Sequence, residues 1–427
     1  MLKKFKMPLL FAVLLILSSI VSACGGKEEE ASGSKKSDGP VELRFIINND
    51  NPTLVEQIKQ FESENKNIKV NVEKIPLDQF FEKVETMIAG DRAPDLLYTP
   101  VLATKRYANL DLLLDVSSEL SDEEKSDFLP SSIVSVKKGD KIYGLPHFTD
   151  DIAVFYNKNL FEKAGVSVPT SIDNAWSWDE FLNAAEQVKK ANNLKYGVST
   201  GSDVSQFLPF LYQNKGSVLN KDQSAAGIDS KNSIEAIKWF KSWFDRGLAS
   251  KESFVGSEKA DELFKQGKLP MVITFSGLIN TFDTDIKDFD YGVTYMPKKE
   301  VTATKLGGSN IVAFKNTKHP KEAVKLMKYL TSTDVMADFA AKQGVIPTTK
   351  SAQEKVDYGP ISEGMKVITT EVNSVPDFAV KDFSIPEYLG YKSVLTSELQ
   401  TVILGEKSPE KAAKDIESQI NTSVLKK

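Results

Sequence analysis

The stretch GDKIYGLPHFTDDIAVFYNKNLFEKAGV, residues 139–166, decides how the rest of the chain is read. A Gly-Leu-Pro turn at Gly144, Leu145 and Pro146 leads to two adjacent aspartates, Asp150 and Asp151, and then to an aromatic run that reads as a strand. Paired carboxylates ordinarily suggest an acid and a base. Whether they serve that purpose here depends on where the chain works and on what surrounds them.

The first residues give a location. Lys3, Lys4 and Lys6 form a positive start, and residues 9–20 are apolar apart from serines, too short for a comfortable membrane span and long enough for a secretory signal. The stretch ends in VSAC, which resembles the bacterial lipobox, where the cysteine is lipidated and becomes the new N-terminus. Cys24 is the only cysteine in the chain, so no internal disulfide can form. The expectation is a lipoprotein signal peptide over 1–23 and a lipid anchor on Cys24, which places the mature protein outside the cytoplasm on the cell membrane. Residues 24–40, rich in Gly, Ser and charge, read as a flexible tether.

From Val41 the composition is globular, and the remaining length exceeds what one hydrophobic core organises, so two lobes are expected. The formal net charge is -5, with no basic run, which argues against a nucleic-acid partner. VELRFII (41–47) alternates as a strand, and Leu54, Val55, Ile58 and Phe61 share one helical face. IKVNVEKI alternates again, a helix stopped by Gly90 follows, and DLLYT reads as a third strand. The same alternation returns in YGVST, NSIEAIKWFKSWFDRG, LPMVITFSG and YGVTYMP. Strand–helix–strand order predicts parallel sheets with helices on both faces, built twice.

Catalytic templates fail on this sequence. It contains no GxSxG, no P-loop, no strand followed by GxGxxG and no His pair at metal spacing. No catalytic residue, metal site or cofactor is expected. His147 reads as a polar loop residue and His319 as part of the turn that starts a helix.

The block YGLPHFTDDIAVFYNKNLFEKAGV, followed by WSWDEF, resembles the crossover segment of the extracellular solute-binding proteins of ABC importers, of the maltose and multiple-sugar type. FKQGKLPMVITFSG, the run from GVTYMPKKEV through KLGGSNIVAF to KYLTS, and QGVIPTTKSA resemble later blocks of that family, in its order. The resemblance implies two doubly wound α/β lobes joined by crossing hinge segments, with the ligand in the cleft between them. It assigns 41–149 and 276–311 to the first lobe and 150–275 and 312–427 to the second. It implies a monomer that captures a small carbohydrate and delivers it to ABC permease transmembrane subunits. A glycan-acting lipoprotein enzyme and a binding protein for a non-sugar solute are the alternatives.

The resemblance also nominates residues. Asp150 falls where the family places an acidic ligand contact, since an ionised carboxylate accepts from two sugar hydroxyls at once. Asp151 is expected to face solvent or to help the hinge. Asn48, Asp50 and Thr99 stand at the strand ends of the first lobe, and Phe275, Ser276, Gly308 and Ser309 are expected to line the cleft, the glycine by letting backbone N–H groups approach the ligand. Many relatives carry a tryptophan just after the VITFSG strand, where this chain has Leu278. Phe210, Tyr212, Phe275, Tyr388 and Tyr391 are the aromatics that could stack on a sugar ring instead, and the four tryptophans read as structural.

Overall fold

Leu43, Phe45, Ile46 and Ile47 are all fully buried, although their side chains alternate between the two faces of one strand. Leu43, Phe45 and Ile47 join one apolar cluster and Ile46 another, so this strand is covered on both sides. In the computed structural model, residues 39–48, 50–385 and 387–425 are described. The expected signal peptide, the lipidation at Cys24 and the tether up to residue 38 lie outside them.

The first strand, β1 (Val41–Asn48), pairs in parallel with β2 (Ile68–Ile75) and β3 (Leu96–Pro100). Between β1 and β2 runs the helix Pro52–Glu64, capped by Asn51, whose side-chain oxygen accepts the Leu54 N–H at 3.0 Å, and started by proline. A small hairpin, β4 (Lys137–Lys138) and β5 (Lys141–Ile142), precedes β6 (Leu145–Thr149). The chain then leaves this sheet for a second one, formed by β7 (Ile152–Asn157), β8 (Ser199–Thr200), β9 (Met271–Phe275) and β10 (Tyr291–Thr294), in the order β10-β7-β9-β8. It returns through β11 (Ser309–Ala313) and β12 (Ile346–Pro347), completing a six-stranded sheet of order β12-β6-β11-β3-β1-β2.

The sheets are mixed rather than parallel throughout. β11 runs antiparallel to both β3 and β6, and β7 runs antiparallel to β9 and β10. The reversal arises where the chain passes from one sheet to the other, which the strand–helix alternation does not encode. The pairing also departs from the expected lobe boundaries. Tyr291–Thr294, assigned to the first lobe, lies beside β7 of the second sheet. Ala323, Leu326, Met327, Phe339 and Ala352, assigned to the second lobe, pack in the core of the first sheet. Helices beyond residue 361 then rejoin the second core.

That second core is aromatic. Trp178 stacks on Trp239 at 4.3 Å, and Trp239 meets Trp243 edge-on at 5.0 Å along one helix, so these tryptophans are structural as expected. Among the described residues no helix is long and apolar enough to cross a membrane.

Candidate functional site

Two chain segments join the sheets side by side. Asp150 and Asp151 carry the chain from β6 to β7, and residues 303–308 bring it back to β11. They are laced together: the Gly307 N–H donates to the Asp150 carbonyl at 2.8 Å, and the Thr304 hydroxyl donates to the Ile152 carbonyl at 2.7 Å. Glycine is needed here. A β-carbon on Gly308, whose φ is +111°, would meet the Phe148 carbonyl oxygen at 2.1 Å. Close packing of the return segment on β6, rather than approach of a ligand, therefore explains Gly308.

Against this junction lies a cavity of about 10 Å³. From the first sheet and its helices it is lined by Val101, Ser132, Pro146, Phe148 and Asn310, and from the other side by Phe383 and Ser384. Its hydroxyls are not all used. Ser135 donates to the Ser132 carbonyl at 2.7 Å, and the Asn310 amide donates to Thr104 at 2.9 Å. The Ser132 and Ser384 hydroxyls, both buried, have no hydrogen-bond partner. Orphaned buried hydroxyls are uncommon in folded proteins, and here one comes from each side of a single gap.

Charge stands next to the cavity. Asp150 is part-buried, and burial pushes its carboxyl above the usual range while Lys305 on the return segment holds it down. Lys305 is only 7% exposed. Its ammonium lies over the Phe383 and Tyr388 rings, 5.5 and 5.8 Å from their centroids. Burial lowers its pKa, against the pull of Asp150 and Asp203. Asp203 is itself engaged by Lys392 at 2.8 Å. Tyr98, on β3, feels Asp150 as well; burial chiefly raises its phenol, which bonds His147 Nδ1 at 3.0 Å. His147 is thus a buried strand residue rather than a loop one.

Of the residues nominated from sequence, Asp150 adjoins the cavity, and Ser309 and Gly308 sit on the return segment beside it. Ser276 serves the junction: its hydroxyl accepts the Asp151 N–H at 3.0 Å, and its own N–H donates to the Asp151 carbonyl at 2.9 Å. Asp151 does not face solvent. It is 1% exposed, both carboxylate oxygens lack a partner, and burial followed by the charge of Glu371 pushes its carboxyl well up. Phe275 is partly buried against the second core.

The others are placed elsewhere. Phe210 is fully buried among Trp239, Trp243 and Phe240, because an aromatic in an apolar helix gains most from the core. Tyr391 is equally buried, its hydroxyl donating to the Asp382 carbonyl at 2.8 Å. Thr99 is buried in β3. Asn48 ends β1 and Asp50 lies just beyond it; neither lines the cavity, and Asp50 is in an exposed ion pair with Lys74. Lys305, Ser132, Ser384 and Phe383 were missed. Lys305 immediately precedes LGGSN, and a lysine flanking glycines was the one signal available; nothing marks the serines. Among the described residues no cluster of three metal-ligating side chains occurs.

Residues 56–362 match the family described as bacterial extracellular solute-binding protein. A protein of Brucella abortus named as a binding protein is 28% identical over 383 residues, covering 88% of this chain and 90% of its own. The maltodextrin-binding protein of Bacillus subtilis is 24% identical over 439 residues, covering 98% of each. Among solved structures, an ABC substrate-binding protein of Listeria monocytogenes in complex with cycloalternan superposes with a TM-score of 0.77 at 24% identity, over 90% of this chain and 99% of that one. At that identity the likeness is one of fold.

Proposed function

The chain belongs to the bacterial extracellular solute-binding proteins, and we propose that its solute is a small carbohydrate, taken between two lobes and handed to an ABC permease. The observation that carries this reading is the pair of unpartnered hydroxyls, Ser132 and Ser384, facing one gap from opposite sides beside Asp150. A sugar hydroxyl is both donor and acceptor and can satisfy each of them. Relatives named for maltodextrin and arabino-oligosaccharide binding favour the same class of solute.

The mechanism is binding without chemistry. The gap has room for about one water, so a sugar ring requires the two sides to part. They part about the two laced segments at Asp150–Asp151 and 303–308, and the ligand favours closure only by what it gains in the closed state. A relative named as a solute-binding lipoprotein supports anchoring through Cys24. A Cys24→Ala variant should then leave the membrane fraction.

A thermal-shift screen against mono- and oligosaccharides tests the reading. At a hundred-fold excess over Kd the right sugar adds about 2.7 kcal/mol of stability. Scattering should report a smaller radius of gyration in the complex than in the open protein. A panel in which no saccharide raises the melting temperature overturns it, and new reducing ends on long incubation would point to hydrolysis instead.

A further inference from the structure

Behind the gap stands a buried carboxylate that no cation accompanies. Asp382 is 3% exposed, and among the described residues it has no ion pair. Its oxygens are filled by uncharged donors instead. Oδ1 accepts the Leu219 N–H at 2.8 Å, and Oδ2 accepts the Val218 N–H at 2.9 Å and the Tyr212 hydroxyl at 3.1 Å. The Asp382 carbonyl accepts the Tyr391 hydroxyl at 2.8 Å, and the Lys381 carbonyl accepts from the Gln223 side chain. Helix Leu208–Gln213, the loop after it and helix Tyr388–Leu404 are thus all tied to one turn of chain.

That turn decides what enters the gap. Asp382 belongs to the helix Asp377–Phe383, seven residues long and too short to hold a shape or direction of its own. Phe383 and Ser384 line the gap, where the Ser384 hydroxyl is left without a partner. The other face of the helix, with Phe378 and Lys381, opens on a separate cavity of about 340 Å³ at the surface.

We propose that Asp382 is a positioning residue for the solute: its carboxylate, gripped by Val218, Leu219 and Tyr212, presents Phe383 and Ser384 to the gap. The proposal rests on the reading of this gap as the solute site. Asp382 does not line the gap, so it acts through its two neighbours. An asparagine cannot replace it, because whichever way its amide is turned the NH2 group meets the Val218 or the Leu219 N–H, donor against donor. A protonated carboxyl keeps acceptor capacity on both oxygens and can stay in place.

Burial raises the Asp382 carboxyl to about 6, against the pull of its three donors. The phenols packed on it, Tyr212 and Tyr391, with Tyr388 beside Tyr391, are pushed up by burial; Lys221, Asp377 and Lys381 line the outer cavity beside it. A helix swung outward would return the carboxyl to its ordinary value near 3.9. The docked helix therefore holds the proton more tightly. Docking is firmest below that value and weakens as pH rises from it to about 6.

Hydrogen–deuterium exchange on the intact protein without ligand tests the anchor. In Asp382→Asn, amides of residues 377–385 should exchange about ten-fold faster or more, while the helix Lys231–Asp245 keeps its protection. In the parent, with intrinsic rates allowed for, protection over 377–385 should fall about ten-fold from pH 5 to pH 7. That profile decides the question if the variant does not fold. Calorimetry with maltotriose and arabinotriose then tests the role, the tighter binder of the two serving as probe. Asp382→Asn should weaken it about ten-fold and Ser384→Ala about five-fold, and the double variant about ten- to twenty-fold rather than their product of about fifty. A merely structural role gives the full product. Exchange over 377–385 that neither the variant nor pH alters, or a double loss equal to the product, overturns the proposal and spares the carbohydrate reading. Failure of both sugars to bind the parent counts against the carbohydrate reading, and exchange alone then decides whether Asp382 is the anchor.

Discussion

The Oδ1 atom of Asp150 lies 2.0 Å from the point that a β-carbon on Gly307 would occupy. The carboxylate thus sits where only glycine on the opposite crossing segment leaves room. Gly307 has a second tie to the same residue, its N–H donating to the Asp150 carbonyl. Gly307→Ala must displace the carboxylate while sparing that backbone bond. The variant should stay folded, with a melting temperature within a few degrees of the parent, and lose ligand affinity about ten-fold. A variant that binds normally would mean that the position of Asp150 is immaterial.

The two adjacent aspartates should behave differently. Asp150→Ala removes a charged acceptor worth about 1.5 to 3 kcal/mol, roughly ten- to a hundred-fold in affinity, and leaves the fold intact. Asp151 is buried with no partner for either oxygen, so burial favours its neutral form. Asp151→Asn, neutral and of the same shape, should be tolerated or stabilising above neutral pH and should change affinity little. Calorimetry on both variants, with melting curves alongside, separates the roles.

A pH dependence follows from Glu371, buried on the helix Ser362–Asn373, whose charge acts on Asp151. Burial raises its carboxyl to about 8, against one hydrogen bond from the Met296 N–H at 2.9 Å. Between an unfolded value near 4.3 and 8 the folded protein holds the extra proton, so stability falls as pH rises through that window. His147 acts oppositely. Burial lowers it to about 3, so its contribution grows as pH rises from 3 to about 6.5 and is then constant. Above pH 6.5 only the carboxyl slope is left of these two, about 1.4 kcal/mol per pH unit. The melting temperature should therefore drop between pH 6.5 and 8, and Glu371→Gln should flatten the drop. An unchanged slope in that variant would show that Glu371 carries no extra proton.

Much of this architecture was readable in the residues. The alternation in 41–47 and 68–75 marks β1 and β2 closely, and Gly90 ends its helix as expected. Periodicity reports which face of an element is buried but not which sheet it covers. The amphipathic helix Pro320–Leu330 could have joined either core, and only the path of the chain puts it on the first. Aromatic side chains are ambiguous for a similar reason. Phe210 suits a sugar-stacking face or a core equally well in sequence, and Trp239 and Trp243 close the choice by surrounding it. The site proved less legible than the fold because Ser132, Lys305 and Ser384 are far apart in the chain and come near one another only after the chain has passed between the two cores three times.

That meeting supplies the sharpest test of a hinged mechanism. Ser132 and Ser384 belong to opposite sides of the gap, and each is left without a partner there. Were the protein a rigid pocket, Ser132→Ala and Ser384→Ala would each subtract a hydrogen bond of about 1 kcal/mol, and the double variant would show their sum. In a closing protein the ligand binds one side first and recruits the other. Loss of either hydroxyl then weakens closure itself, and the second loss acts on a complex already partly open. The double variant should bind more tightly than the sum predicts, by about 0.5 kcal/mol or more, and its complex should keep a larger radius of gyration than the parent complex. Strict additivity with unchanged compaction would remove closure from the account while leaving the solute-binding role in place.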